Sequence, residues 1–430
     1  MEKKLLRPHC KNMLRYRLMA AFIFLCFFLL IDLYFYQAVV GLTENALPGT
    51  RKAIRLLFWL PTLLSLMAML WWIFDDPYRY SANFRNWVIT GLMATYFSKT
   101  VGVLVLLIGD VYRVVQWVAG FFNPKATTTA SEGQVMSRSA FLSMAAVAGA
   151  SVPLGGFVFG IISGAHDYRL RRVKVPVPGL PGSLHGLRIG QLSDIHSGSF
   201  WNQTAVQGGV ELLMKEKPDL ITFTGDLVNN ETAEVKDYIP IFNTLKAPLG
   251  VYSVTGNHDY GDYRSWTSRE EKAKNFQDLI VAHHELHFDL LMNTNRSLRI
   301  GDAIFSVVGV ENWGAGRFAK YGKLEQALAG TESSDFRLML SHDPSHWDAE
   351  IRSHALPVHM TLSGHTHGFQ FGVEIGNFKW SPSQYIYKQW AGLYQDGLHS
   401  LYVNRGFGYL AYPGRVGIPP ELTVLELVKA

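Results

Sequence analysis

Five short polar clusters in the second half of the chain carry side chains that could hold metal ions. They are Asp194-Ile195-His196, Gly225-Asp226, Gly256-Asn257-His258-Asp259, Ser341-His342-Asp343 and Gly364-His365-Thr366-His367. Together they offer imidazole nitrogens, carboxylates and one amide oxygen, and neutral imidazoles suit Zn, Mn, Fe or Ni. Two cations about 3.5–4 Å apart lower the pKa of a shared water and clamp phosphate oxygens, so the clusters point to phosphate chemistry. Where the backbone stays extended, Asp194 and His196 fall on one side of it. Gly225 lets the chain turn sharply and present Asp226, a carboxylate able to bridge two cations. His258 stands beside the candidate ligand Asn257 and need not bind metal itself. It could donate to a phosphate oxygen or protonate a leaving alkoxide, with Asp259 fixing its tautomer.

Taken singly these pieces are weak. Asp-x-His is short, Gly-Asp is a common turn, and Gly-Asn-His-Asp is as often an ordinary loop. Their placement is what counts. Each follows an apolar, β-rich run: 187–192, 220–224, 251–255, 337–340 and 358–362. A further strand and turn are expected over 168–177. In sheets with helical crossovers, ligands bind at the C-terminal strand ends. Helical patterns fall between, over 206–215 and 238–245. The arrangement predicts a sheet-based α/β or α+β sandwich.

In these motifs residues 168–428 resemble the calcineurin-like metallophosphoesterase superfamily, and the layout resembles its membrane-anchored bacterial members. The resemblance implies an α+β, four-layer αββα sandwich with a dinuclear centre. It implies that Asp194, His196, Asp226 and His367 hold one metal, and that Asp226, Asn257, His342 and His365 hold the other, with Asp226 bridging. The cofactors expected are two divalent ions, Mn, Zn, Fe or Mg. His258 would bind phosphate or act as general acid. The closing segment, Asn404 to Gly408 and Arg415 to Glu421, also resembles the family's end, and Arg405 or Arg415 could meet substrate. Phe369 departs from the pattern, standing where many relatives carry a second glycine.

The first half is of another kind. The chain has 430 residues, 48% hydrophobic and 17% charged, with a net charge of +5. Apolar runs cover 18–42, 56–74, 87–109 and 140–164, each near the roughly 20 residues a helix needs to cross a bilayer. Asp32 and Lys99 interrupt them, and the third run continues towards Phe122, so that two short segments are an alternative there. The basic cluster Lys3, Lys4, Arg7, Lys11, Arg15 and Arg17 flanks the first run and reads as membrane orientation, not nucleic-acid binding. The expected organisation is a transmembrane region over 1–122 with about three spans, a polar linker over 123–139, a last transmembrane or signal-like helix over 140–164, and the catalytic domain over 168–428. Ser137-Arg138-Ser139 is similar to a twin-arginine export signal without its second arginine. Four spans return the catalytic half to the cytoplasm and five place it outside; both stay open. Cys10 and Cys26 lie before the catalytic half, which therefore has neither a disulfide nor a thiolate metal site.

Some features are decoys. His283-His284-Glu285-Leu286-His287 lacks the spacing of a helical zinc-protease motif and reads as an exposed helix end leading into a strand. His346 reads as a helix-surface residue. Trp201, Trp313, Trp347, Trp380 and Trp390 read as core. The aromatic and basic segment 380–394 reads first as structure, and second as a surface that rests on a bilayer or frames a lipid substrate. The expectation is an integral membrane protein of a bacterial inner membrane. It would hydrolyse a phosphomonoester, phosphodiester or pyrophosphate bond, on a membrane lipid or lipid-linked substrate. Its rivals are a phosphodiesterase for a soluble nucleotide-type substrate and a non-catalytic membrane scaffold or sensor. A transporter lacks the internal repeat that would support it.

Overall fold

A computed structural model describes residues 8–75, 80, 82–122, 138–316, 318–376 and 378–430. Lys3, Lys4, Arg7 and residues 123–137 of the expected linker lie outside the described residues. The chain divides into two compact units, Met1–Val158 and Phe159–Ala430.

The first unit is helical: α1 (Pro8–Leu42), α2 (Pro48–Phe58), α3 (Leu60–Phe74), α4 (Ala82–Phe122) and the start of α5 (Arg138–Ile162). Four stretches among the described residues are long and apolar enough to cross a membrane: Ala21–Leu42, Pro48–Phe74, Phe84–Phe121 and Ala140–His166. The second is broken at Trp59, because Pro61 brings no N–H to the helical ladder. The third is one helix of 41 residues, so the two-segment alternative is not adopted. Small residues let helices approach closely: Ala38, Ala146 and Ala150 are buried in one cluster with Phe35.

The two charges that interrupt the apolar runs meet inside this unit. Lys99 forms an ion pair with Asp32, and both are buried. Thr62 Oγ1 and Tyr96 Oη donate to Asp32 Oδ2 at 2.8 and 3.0 Å. The Lys99 ammonium stands 4.5 Å from the Phe58 ring centre. Charges in membrane helices persist where they face one another inside the bundle, and this pair ties α1, α3 and α4 by that rule.

The second unit holds two six-stranded sheets. In the first, β1 (Arg169–Val177), β14 (Glu421–Lys429), β2 (Arg188–Leu192), β3 (Leu220–Phe223), β4 (Val251–Ser253) and β5 (Asp289–Leu290) lie in that order. In the second the order is β12 (Gly392–Asp396), β13 (His399–Val403), β9 (Met360–Ser363), β8 (Phe336–Leu340), β7 (Ala303–Gly309) and β6 (Thr294–Ile300). A separate antiparallel pair joins β10 (Val373–Ile375) and β11 (Phe378–Trp380).

Strand alternation builds the layers. Ile189, Leu220, Leu425 and Leu427 of the first sheet meet Phe305, Val307, Leu338, Leu340 and Leu362 of the second in one core. The opposite face of the first sheet, with Leu192, Ile221, Phe223 and Val424, packs on α6 (Gln203–Met214), α7 (Ile239–Phe242) and α8 (Arg269–Glu285). The outer face of the second, with Val308, Met339 and Leu401, packs on α9 (Leu324–Leu328) and Trp347. This is the expected αββα sandwich. β2, β3 and β4 run parallel, as do β7, β8, β9 and β13, so their C-terminal ends gather at one edge of each sheet.

The buried ion pair of the helical unit generates a prediction. Lys99→Met alone leaves Asp32 without its cation and is expected to cost about 3–5 kcal/mol. The double variant Asp32→Leu, Lys99→Met removes both charges and should recover most of that loss. Thermal unfolding of the full chain in detergent checks the order of the three midpoints; a double variant less stable than the single one contradicts it.

Candidate metal centre

The polar clusters converge where the strand ends of the two sheets meet. Asp194, His196 and His367 form one group of potential ligand atoms and Asp226, His342 and His365 a second, with the atoms of each group within 4.8 Å of one another. Asp226 lies between them: its Oδ2 is 3.5 Å from His196 Nε2 and 3.1 Å from His342 Nε2. In the first group His196 Nε2 and His367 Nε2 are 3.0 Å apart, and His367 Nε2 is 3.2 Å from Asp194 Oδ1. In the second, His365 Nδ1 and His342 Nε2 are 3.3 Å apart. Two nitrogens bound to one tetrahedral metal at about 2.0–2.1 Å stand roughly 3.3 Å apart, so the spacing fits a shared cation.

Asn257 completes the donor set. Its amide nitrogen donates to Tyr263 Oη at 2.9 Å, while its Oδ1 is buried with no hydrogen-bond partner among the described residues. A buried amide oxygen without a donor costs free energy unless something positive meets it. The residues present therefore fit a pair of divalent cations.

The backbone gives up regular geometry to achieve this. Asp194, His196, Asp226, His365 and His367 all have positive φ, between 48° and 71°. The extended arrangement expected for Asp194 and His196 is thus not what brings them together; the chain leaves β2 at Leu192 and winds left-handed. Such conformations cost about 1–3 kcal/mol each, though Asp and His tolerate them better than most residues. Close approach also demands glycine. A Cβ on Gly256 would stand 2.2 Å from Asp226 Oδ1, and one on Gly364 2.2 Å from Asp194 Oδ2.

Neighbouring groups set the tautomers. His342 Nδ1–H donates to the Thr224 carbonyl at 2.7 Å, which leaves Nε2 to face Asp226. His258 Nδ1–H donates to the Asn229 carbonyl at 2.7 Å. His365 Nε2 lies 2.8 Å from Tyr387 Oη, and this contact frees Nδ1 for the cluster. Fixing the remote ring nitrogen in this way orients a metal ligand and raises its basicity.

Electrostatics follow from burial and pairing. Burial works to raise the Asp194 and Asp226 carboxyls, but the imidazoles of His367 and His342 beside them carry both below the ordinary carboxylate range. Burial alone would lower His342, yet Asp226 and Asp194 push it up to about 10. Burial takes His196 down to about 3.

Several sequence-based expectations are corrected. Asp259 does not set the His258 tautomer. Its carboxylate accepts the backbone N–H groups of Gly256, Asp226 and Leu227 at 2.8, 3.0 and 2.8 Å, and so fastens the β3 and β4 loops to each other. Arg405 is buried in ion pairs with Glu421 and Glu374, both at 2.6 Å. Arg415 is enclosed by the carbonyls of Arg405, Gly406 and Gly408 and reaches His367 Nδ1 at 3.2 Å. Neither arginine is open to a substrate, because buried guanidinium charges are already matched. His283 is buried against Ser253 Oγ rather than exposed, and His346 is held by Ser341 Oγ and Glu350. Trp313, Trp347 and Trp390 are core, whereas Trp201 is exposed. Tyr387, Tyr263 and the carbonyls of Thr224 and Asn229 were missed; only the aromatic segment around Tyr387 gave any signal.

Comparison with known proteins agrees with this geometry. Residues 187–369 match the family model of calcineurin-like phosphoesterases, and residues 16–165 match the model of a transmembrane domain of such phosphoesterases. A Bacillus subtilis metallophosphoesterase, YkuE, is 29% identical over 68% of this chain and 98% of its own length. A zebrafish transmembrane protein with a metallophosphoesterase domain is 30% identical over 64% of this chain, which spans 60% of that protein. The UDP-2,3-diacylglucosamine pyrophosphatase LpxG of Chlamydia trachomatis is 28% identical over 60% of this chain and 88% of its own length. The chain belongs to the calcineurin-like metallophosphoesterases and carries the transmembrane domain found with them.

Two outcomes are expected at the centre. Without metal, His342 carries a proton up to about pH 10, and a cation at Nε2 must displace it. Affinity should therefore rise with pH, by roughly tenfold per unit for each proton displaced, and fall as pH falls. Calorimetric titration with Mn or Zn in buffers of different ionisation enthalpy reads both the proton release and the slope. Second, Tyr387→Phe removes the partner of His365 and should weaken metal binding by about 10–100-fold. The weakening should appear in one of the two binding steps of the same titration, and an unchanged isotherm contradicts the assigned role.

Proposed function

We propose that the chain is a membrane-bound, dinuclear metal-dependent phosphoesterase that hydrolyses a phosphomonoester, phosphodiester or pyrophosphate bond, with a lipid-linked substrate. The observation that carries this reading is Asp226 Oδ2, held between an imidazole of each cluster at 3.5 and 3.1 Å. A carboxylate in that position suits two cations and has little use otherwise, since buried charge needs a counter-charge.

In this reading Asp194, His196, Asp226 and His367 hold one cation, and Asp226, Asn257, His342 and His365 hold the other; Mn, Zn, Fe and Mg are the candidates. Bound there, the cations supply a hydroxide for attack on phosphorus and positive charge for the phosphate oxygens. The chain's own residues do the rest. Asp226 takes the bridging position, held by the His258 backbone N–H, which donates to its Oδ1 at 2.9 Å. His258 stands beside His196, with ring centres 5.0 Å apart, and beside Tyr263 at 4.5 Å. With Nδ1–H committed to Asn229, its Nε2 is the atom left for substrate, and in the doubly protonated imidazolium form it would donate to a phosphate oxygen or give that second proton to the departing alcohol. Burial of these side chains strengthens each charge interaction.

The lipid-linked substrate is supported by the spanning helices in the same chain and by the likeness to a pyrophosphatase named for a diacylated sugar nucleotide. The spanning stretches support residence in a membrane, and a bacterial inner membrane is the one proposed.

The test is hydrolysis of bis-p-nitrophenyl phosphate by the full chain in detergent, stripped of metal and then supplied with Mn, Zn, Fe or Mg. Turnover should return with metal. His258→Ala should lower kcat by about 10²–10⁴-fold while metal content holds. Asp226→Asn should lose both metal and turnover. Full activity in either variant would falsify the assignment of these roles.

A further inference from the structure

Beyond α5, ten large apolar or aromatic side chains stand exposed among the described residues, and six of them fall within 369–386. These are Phe369, Val373, Ile375, Phe378, Tyr385 and Ile386, exposed by 40% to 75%. The grouping is too dense to be the scatter expected of a protein surface.

The β10–β11 pair explains how the patch is displayed. Its register pairs Val373 with Trp380, Glu374 with Lys379 and Ile375 with Phe378. Alternation therefore puts the two charged residues on one face and the four apolar residues on the other. The charged face is the one turned to the domain. Glu374 receives Arg405 Nη2 at 2.6 Å, and Lys379 Nζ donates to the Ala391 carbonyl at 2.6 Å. The apolar face is left outward, the reverse of a strand pair that packs on a core. Trp380 Nε1 donates to Tyr385 Oη at 3.3 Å, which extends the patch to Tyr385 and Ile386.

The patch is also joined to the metal centre. Ser381 Oγ donates to the Gly368 carbonyl at 2.7 Å, directly after the ligand His367. Tyr387, next to Ile386, holds His365.

We propose that this outward face inserts into the lipid surface and so sets the mouth of the metal centre at the headgroup level. The occupant is the bilayer because the same chain carries four stretches able to span one, so a lipid surface is always within reach. The composition fits: Trp380 and Tyr385 beside Ile375 and Phe378 are the mixture of amphipathic and apolar side chains that settles at membrane interfaces. An apolar face of this kind enters the boundary between headgroups and chains by about 5–10 Å. That the contact serves catalysis rests on the phosphoesterase reading; the contact itself does not.

The experiment uses the full chain in phosphatidylcholine vesicles with Cys10→Ser and Cys26→Ser, the two native cysteines. Ile375→Cys in that background carries an NBD fluorophore, and Leu398→Cys, half exposed outside the patch, serves as reference. Vesicles are compared with and without phosphatidylcholine bearing a doxyl quencher high on its acyl chain. The label at 375 should lose most of its emission to the quencher and the label at 398 little. Equal quenching at the two positions, or none at 375, overturns the proposal and leaves a protein partner as the cover for this face. Because the readout needs no turnover, that result would leave the phosphoesterase reading standing.

Discussion

Two buried carboxylates, Asp194 and Asp226, lie where the strand ends of two sheets meet, and the rest of the catalytic unit answers to that fact. Buried negative charge is tolerated only when paired and hydrogen-bonded. Here the pairing comes from imidazoles: His367 against Asp194, and His342 and His196 against Asp226. Backbone donors supply the remainder. The N–H of His365, from the second sheet, reaches both oxygens of Asp194 at 3.0 Å, and this contact stitches the sheets together at the site. Left-handed backbone at five candidate ligands and glycines pressed against carboxylate oxygens are the local costs of bringing these charges together. Cations meet the same demand better than protons do, since they satisfy the carboxylates, the imidazole lone pairs and the Asn257 oxygen at once.

The helical unit solves the same problem differently. Asp32 is also fully buried, and its charge is met by Lys99 with hydroxyl donors from Thr62 and Tyr96. In that network the carboxylate is met within the bundle by an ammonium and two hydroxyl donors. The metal centre is open in the chemical sense, with imidazole nitrogens aimed at one another and an amide oxygen without a donor. The contrast separates a group of charges that holds helices together from one that is made to receive ligands.

Much of this was legible in the sequence, for a physical reason. Parallel strands end at the same edge, so polar residues directly after apolar runs had to gather there, and His342 and His365 could be placed from their runs alone. The spanning helices were legible because hydrocarbon thickness fixes their length. What could not be read were contacts made by backbone atoms or by residues remote in sequence. The carbonyls of Thr224 and Asn229 carry no side-chain signal. Tyr387 reaches His365 from 22 positions away. Asp259 sat beside His258 in sequence, yet its carboxylate turned to backbone amides, because adjacency in sequence does not fix side-chain direction. Arg405 and Arg415 looked available for a phosphate, but Glu421, Glu374 and a ring of carbonyls had already claimed them. The outward apolar face of the β10–β11 pair needed the register, since alternation alone does not say which face meets the domain.

The central claim is that these ligands hold two cations with Asp226 between them. Anomalous diffraction from crystals of the full chain soaked in Mn, collected at the metal edge, tests it most directly. The account predicts two peaks roughly 3.5–4 Å apart, one beside Asp194, His196 and His367 and one beside Asn257, His342 and His365, with Asp226 touching both. A single peak, or none at these residues under saturating metal, would contradict it.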